Sequence, residues 1–380
     1  MTLDYETLKF IWWLFIGILF IGFAVMDGFD LGIGALLPFV AKTDDERRVL
    51  LNVIGPTWES NQVWLISAGG ALFAAWPLVY ATAFSGFYFA LLLALFALFL
   101  RPVGFDYRSK LSNPVWRKAW DWGLFIGGVV PVLVFGIAFG NLLLGVPFYF
   151  DSDLRSYYTG SFWGLLNPFG LFAGILCVSM LVMHGAIYLQ KRTNDVIARR
   201  CQSAVLWFAV LFSALFAVGG FWVAFDLDGY RIISMGAFDA APNPRHKTVE
   251  TVTGAWLNNY TQSGWLYLIP ATVFVMTLCT VVCSRLDKTA LGFIASSIAV
   301  AAVILTAGVS MFPFLLPSSS DPNSSLTVWD ASSSYLTLTV LFWVTVIFLP
   351  IVIIYTHWVY RILKGKITVQ TIHDNQHTAY

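Results

Sequence analysis

Hydrophobic positions in this chain fall in long runs separated by short polar connections, with no period-two alternation. A helix that crosses a bilayer needs about 20 mostly apolar residues, whereas a barrel strand alternates apolar and polar positions. Nine runs meet the first description: Phe10 to Leu37, Asn61 to Trp76, Val79 to Leu100, Trp120 to Gly145, Trp163 to Gln190, Ser203 to Phe225, Gly264 to Ser284, Ala290 to Leu316 and Tyr335 to Tyr360. The second run extends back to Trp58 if its polar start is included. Only Pro77 and its neighbours divide it from the third, and fusing the two leaves eight spans.

Loop charge separates these counts. With nine spans and the N-terminus outside, every Lys and Arg lies in an inner loop except Lys9, Arg155, Arg231, Arg245 and Lys247. That is the bias of the positive-inside rule, and fusing the second and third runs would reverse every later loop. The expectation is therefore an all-α polytopic membrane bundle of about nine transmembrane helices, one transmembrane domain over residues 1–380, with the N-terminus outside and the C-terminus cytoplasmic.

Composition agrees, since 58% hydrophobic and 11% charged residues leave too little polar surface for a soluble globule. A net charge of +1 points to neither nucleic acid nor an acidic surface as partner. Cys177, Cys201, Cys279 and Cys283 form no CxxC pair and are read as small buried hydrophobes. The first run follows Asp4 and Glu6 and is too long for the core of a signal peptide, so it is read as a retained span. Pairs of glycines four apart (28/32, 123/127, 136/140, 170/174) are read as close helix packing. Trp12, Trp13, Trp76, Trp120, Trp163 and Trp358 are read as an interfacial belt, and the connections 226–263 and 317–334 as outer surface loops.

Candidate chemistry rests on ionisable residues inside spans, which are costly to bury. Asp27 and Asp30 share a face of the first helix, about 15 Å from its inner end at ~1.5 Å per residue. Glu59, Asn61 and Gln62 at the start of the second span, and Arg101 and Asp106 at the inner end of the third, lie on the same side. Carboxylates leading inward from the cytoplasm suit a proton-uptake path; the other reading is a buried Asp30 to Arg101 ion pair, a Glu59 favoured by its helix N-terminus, and a surface Asp106. Of His184, His246, His357, His373 and His377, only His184 and His357 lie in spans, so a bis-His haem site is conceivable, as is an interfacial role for each. There is no Walker loop, HExxH or dinucleotide fingerprint.

The strings FAVMDGFDLGIG, WESNQVWLISAGGALFAAWP, FSGFYFALLLALFALFLRPVGFDYRSK, FGNLLLGVPF, MFPFLLPSS and SLTVWDASSSYLTLT occur in this order along the chain. In them the chain resembles subunit II of the cytochrome bd ubiquinol oxidase family over essentially its whole length. The resemblance implies a subunit of a quinol oxidase in the bacterial inner membrane. Its partner, subunit I, would carry two b-type haems and haem d, oxidise quinol and reduce oxygen to water. It also implies that this chain stabilises subunit I, and that a structural ubiquinone is a candidate ligand and a small single-span subunit a further candidate partner. Acidic family positions on a proton route match Asp27, Glu59 and Asp106; Asp30, Trp58 and Arg101 match positions with a structural or haem-stabilising role. Glu59 stands where many relatives carry Asp, which keeps the carboxyl and moves its tip by about one C–C bond. A secondary transporter and a self-sufficient b-type cytochrome are the rival classes, and neither accounts for the ordered strings.

Overall fold

The computed structural model describes residues 3–374; His377 lies outside them. Helices run in the order α1 (Tyr5–Val40), α2 (Asp44–Ile54), α3 (Trp58–Ala75), α4 (Pro77–Gly86), α5 (Tyr88–Tyr107), α6 (Pro114–Leu144), α7 (Pro168–Arg192), α8 (Asp195–Phe225), α9 (Asn258–Gln262), α10 (Leu268–Arg285), α11 (Thr289–Met311), α12 (Tyr335–Ile362) and α13 (Val369–Asp374). Three two-stranded antiparallel hairpins, β1–β2 (Phe148–Phe150, Ser156–Tyr158), β3–β4 (Asp228–Met235, Lys247–Thr253) and β5–β6 (Phe314–Leu316, Leu326–Thr327), fill the connections.

Starts and stops follow local chemistry. Asp4, Asn113, Asn167 and Ser334 each accept a backbone N–H in the first turn of α1, α6, α7 and α12, and Thr43 with Glu46 forms a reciprocal capping box on α2. Proline ends α3: Pro77 has no N–H to continue the ladder and disfavours helical geometry at Trp76, which sits at φ −136° and ψ 74°. The second and third runs thus belong to separate helices. The third run is itself two helices, since α4 ends at Gly86 and α5 starts at Tyr88, a break just after Ser85 and Gly86 that the sequence reading ran through.

Among the described residues eight helices are long and apolar enough to cross a membrane, namely α1, α5, α6, α7, α8, α10, α11 and α12. Helix α3 has 18 residues and is diluted by Glu59, Ser60, Asn61 and Gln62. It nevertheless runs from one end of the bundle to the other. Trp58 at its start stacks on Phe105, and the Ala75 carbonyl at its end accepts the Ser333 N–H.

The two ends differ in charge. At one, Arg47, Arg108 and Arg117 bind Asp44 and Asp121, Arg200 binds Glu46, the Arg192 carbonyl accepts the Ile367 N–H, and Gln190 and Gln202 reach the Ser284 carbonyl. These contacts gather the five basic loops into one layer. At the other end, Lys9 donates to the carbonyls of Phe238, Ala240 and Trp329, Lys247 pairs with Asp330 at 2.7 Å, and Arg245 reaches the Ser152 carbonyl.

Packing corrects three expectations. Trp12 and Trp76 are 3% and 0% exposed, and their indole N–H groups bond the buried carbonyls of Leu338 and Val328, so they are core residues; Trp163 and Trp358 do face outward. The 317–334 connection is packed into the bundle, with Ser318, Ser325, Thr327 and Asp330 buried, because those side chains satisfy its own backbone and Lys247. Of the glycine pairs, Gly136 and Gly140 meet Gly174 and Gly170 across α6–α7, and Gly32 meets Gly185 across α1–α7, whereas Gly123 faces only Trp120 of its own helix.

Candidate functional site

Asp27 and Asp30 lie one turn apart on α1, and both are buried, at 0% and 1% exposure. A buried carboxylate requires a counter-charge or several hydrogen-bond donors. Arg101 from α5 supplies the first to Asp27, with Nη2 2.6 Å from Oδ1 and Nη1 3.0 Å from Oδ2. The ion pair is therefore Asp27–Arg101 and not the Asp30–Arg101 pair that the alternative reading of the sequence offered. The spacing of two acids on one face leaves open which of them meets a guanidinium from another helix; here the two-pronged geometry goes to Asp27.

Trp58 shapes the surroundings. Its ring stacks on Phe105 at 5.4 Å between centroids, and the Arg101 guanidinium carbon lies 5.6 Å from its ring centre. Both contacts hold Arg101 between α3 and α1. Asp30 has a different neighbour: Asn61 Nδ2 from α3 donates to its Oδ2 at 2.8 Å, and the Tyr360 hydroxyl from α12 donates to Asn61 Oδ1 at 2.8 Å. Asp30 Oδ1 is buried and has no protein partner. Beside it Asp30, Arg101, Ile33, Leu50, Ile54 and Phe105 line a cavity with room for about one water molecule, between α1 and α2. An orphan carboxylate oxygen beside such a cavity is a place for water to bind.

Glu59 and Asp106 lie outside this buried cluster. Both are exposed, at the start of α3 and near the end of α5, on a surface that also exposes Val63, Ile66, Phe96, Phe99 and Val103. Among the six residues singled out, then, Asp27, Asp30, Arg101 and Trp58 come together, and Glu59 and Asp106 stand on an outward face nearby, in the turns that carry Trp58 and Phe105. Sequence reasoning passed over Tyr360, which reads as an interfacial aromatic, and Asp121. An acid two residues inside an apolar run was the available signal for Asp121, which binds Arg47 and Arg108.

His184 and His357 do not form a bis-His site. His184 is fully buried on α7, its Nδ1 2.8 Å from Ser296 Oγ and its Nε2 2.9 Å from the Val25 carbonyl, so both ring nitrogens are engaged. His357 is exposed on α12 and cannot face it as a second axial ligand. The residues present do not fit a haem within this chain, and among the described residues no group of three His, Cys, Asp or Glu could hold a metal ion. The cavity beside Asp30 is also too small for a quinone ring.

Comparison with known proteins places this arrangement. The family model described as cytochrome bd terminal oxidase subunit II matches residues 8–363. Cytochrome bd-I ubiquinol oxidase subunit 2 of Escherichia coli (strain K12) is 53% identical over 378 residues, with 100% of each chain covered. A probable cytochrome oxidase subunit 2 of Haemophilus influenzae is 48% identical over the same extent, and cytochrome bd ubiquinol oxidase subunit 2 of Bacillus subtilis 29% identical over 94% of this chain and 96% of its own. The structure of bd oxidase from Geobacillus thermodenitrificans contains a chain of the same fold, with a TM-score of 0.67 at 15% identity over 94% of this chain and 98% of that one. With a polytopic helical bundle, a full-length family match and half its residues shared with full-length relatives, the chain belongs to the cytochrome bd terminal oxidase subunit II family.

Proposed function

We propose that this chain is the haem-free subunit of a respiratory quinol oxidase of the bacterial inner membrane. Its partner, subunit I, holds two b-type haems and haem d, oxidises quinol and reduces oxygen to water. The chain packs on subunit I through the exposed face of α3, α5 and α12, completing the fold of that subunit, and carries protons from the cytoplasm toward the oxygen-reducing haem. Quinol oxidation releases protons outside while oxygen reduction takes them from inside, so charge is separated without a pump.

The observation that supports the proton route is the buried carboxylate pair with unequal partners. Arg101 binds Asp27 through a two-pronged pair, while Asp30 keeps one oxygen free beside a water-sized cavity at the basic end of the bundle. A carboxyl that bonds water and is not locked to a cation can take up and release a proton; its charged neighbours set when it does so. On this reading Glu59 and Asp106 gather protons at the surface, Asp27 and Arg101 set the local field, and Asp30 exchanges the proton. A structural ubiquinone would lie in an apolar cleft on the outside of the bundle.

The test is made on the tagged chain purified from its native host in mild detergent. A larger partner, b and d haem bands in the reduced-minus-oxidised spectrum and quinol-dependent oxygen uptake are expected; a haem-free chain that purifies alone overturns the assembly. In that oxidase Glu59→Gln is expected to slow oxygen reduction by about tenfold or more with normal haem content, and Asp27→Asn, which also strands the buried Arg101, to slow it with less oxidase recovered. Unchanged turnover overturns the proton route.

A further inference from the structure

Helix α12 is the least embedded of the long helices. Leu338 is its only fully buried residue among those described, and it is fastened mainly near its ends. Near its outer end Trp12 Nε1 donates to the Leu338 carbonyl at 3.0 Å, and the Tyr335 hydroxyl donates to the Leu3 carbonyl at 3.0 Å. At the inner end the Tyr360 hydroxyl donates to Asn61 Oδ1, and its ring meets Phe29 edge-on.

The chain of bonds from Tyr360 to Asp30 runs through a carboxamide, which has no proton to pass on but has two unlike ends. While Tyr360 occupies Oδ1 as a donor, Asn61 must present its N–H group to Asp30, and an N–H group stabilises the carboxylate form of Asp30. A protonated Asp30 would carry its proton on the free Oδ1 beside the cavity and accept from Asn61 only as a neutral carboxyl, a weaker bond, so the Asn61 N–H favours the charged form.

We infer that Tyr360 is a positioning residue for the proton route: by donating to Asn61 it fixes the amide with its N–H toward Asp30 and so sets the pH at which Asp30 exchanges its proton. The inference rests on the proton reading proposed above. The other groups facing Asp30 are Asp27 on its own helix, Arg101 from α5, and Tyr188 from α7, itself near Arg192. His184 of α7 is turned to Ser296 and Val25, and α2 and α6 present only Leu50, Leu51, Ile54, Leu124 and Gly128 to the cavity. None of these depends on Tyr360 for its place. Because Tyr360 sits on the helix that faces outward along most of its length, the seating of α12 is coupled to the state of Asp30.

The experiment is quinol-driven oxygen uptake by the purified two-subunit oxidase, measured across pH for the parent, Tyr360→Phe, Asn61→Ala, the double variant and Asp30→Asn. Tyr360→Phe removes one hydroxyl and is expected to keep the haem spectrum and the partner while its rate profile moves toward higher pH by about half a unit or more. Asn61→Ala is expected to move it likewise, and the double variant no further than Asn61→Ala alone, as for residues acting in series. A Tyr360→Phe profile that superimposes on the parent, while Asp30→Asn slows turnover, overturns the inference and leaves the proton route standing. Unchanged turnover in Asp30→Asn overturns the assignment of Asp30 and this inference with it. If Tyr360→Phe loses its haems, the Asn61→Ala profile decides: displaced, it supports the inference; unmoved, it overturns it.

Discussion

Asp27 and Asp30 differ by three positions and share a helix face, yet only one of them has a full counter-ion. Removing one member of a buried pair leaves the other charged and unsolvated, which costs about 3–5 kcal/mol. Arg101→Ala is therefore expected to lower the midpoint of thermal unfolding sharply and reduce the recovered oxidase, whereas Arg101→Lys, which keeps the charge and loses the two-pronged fit, falls between. Thermal melts of the purified complex check the order. At the basic end Glu46 closes the α2 capping box, accepting from the backbone N–H groups of Lys42 and Thr43 and from Arg200. Partial burial opposes its ionisation, but these donors outweigh it and hold the carboxyl below its usual 4.5. A depressed carboxylate stabilises the fold above its unfolded value and loses that contribution as pH falls through the lower folded value. Glu46→Gln should thus cost about 0.5–1 kcal/mol at neutral pH, a surface-pair magnitude, and the gap from the parent should close in melts below about pH 4. The residue types of this cluster were legible as polar groups inside apolar runs, Asp27 and Asp30, or at their ends, Asn61 and Arg101. Their pairing was not, because spacing along one helix sets face and depth but not which group of a second helix arrives there.

Helices α1 and α7 touch backbone to backbone. A Cβ on Gly32 would fall 2.0 Å from the Leu181 carbonyl oxygen, and one on Gly185 would fall 2.7 Å from the Gly32 carbonyl carbon. Neither obstacle is a side chain that can swing away, so Gly32→Ala and Gly185→Ala are expected to force the helices apart, costing about 1–3 kcal/mol or more. Gly17→Ala on the same helix meets nothing within 4 Å and should be neutral or slightly stabilising. Unfolding midpoints of the three variants test this, and equal values would remove the packing argument. Small residues four apart marked several such faces in the sequence, but the spacing could not tell Gly123, which meets no second helix, from Gly136, which does. The break at Trp76 was legible through Pro77. The one at Phe87 carries no proline, and its Ser85-Gly86 pair is a weaker breaker that the sequence reading passed over.

At the scale of the whole molecule the organising feature is the separation of charge between the two ends. The basic loops meet through Arg47, Arg108, Arg117 and Arg200, while Lys9, Lys247 and Arg245 tie the hairpins at the opposite end. With the basic end in the cytoplasm, a membrane-impermeant thiol reagent applied to intact spheroplasts is expected to label Ser319→Cys and spare Ser112→Cys, both positions being exposed. The opposite pattern would reverse the orientation. The exposed faces of α3, α5 and α12 show that this chain is built to be covered, by lipid or by its partner, and not to stand in water. By itself the sequence determined the membrane class, the helical runs, the gathering of the basic loops at one end, the family and the residues able to carry charge inside the bundle. These follow from transfer of apolar surface and from loop charge, which act locally along the chain. Tertiary structure alone decided that Arg101 takes Asp27 and leaves an oxygen of Asp30 free, that Tyr360 reaches Asn61 across the bundle, and that Trp12 and Trp76 turn inward. Each of these is a contact between residues far apart in the chain, settled by how helix surfaces fit and by the need of every buried polar group for a partner.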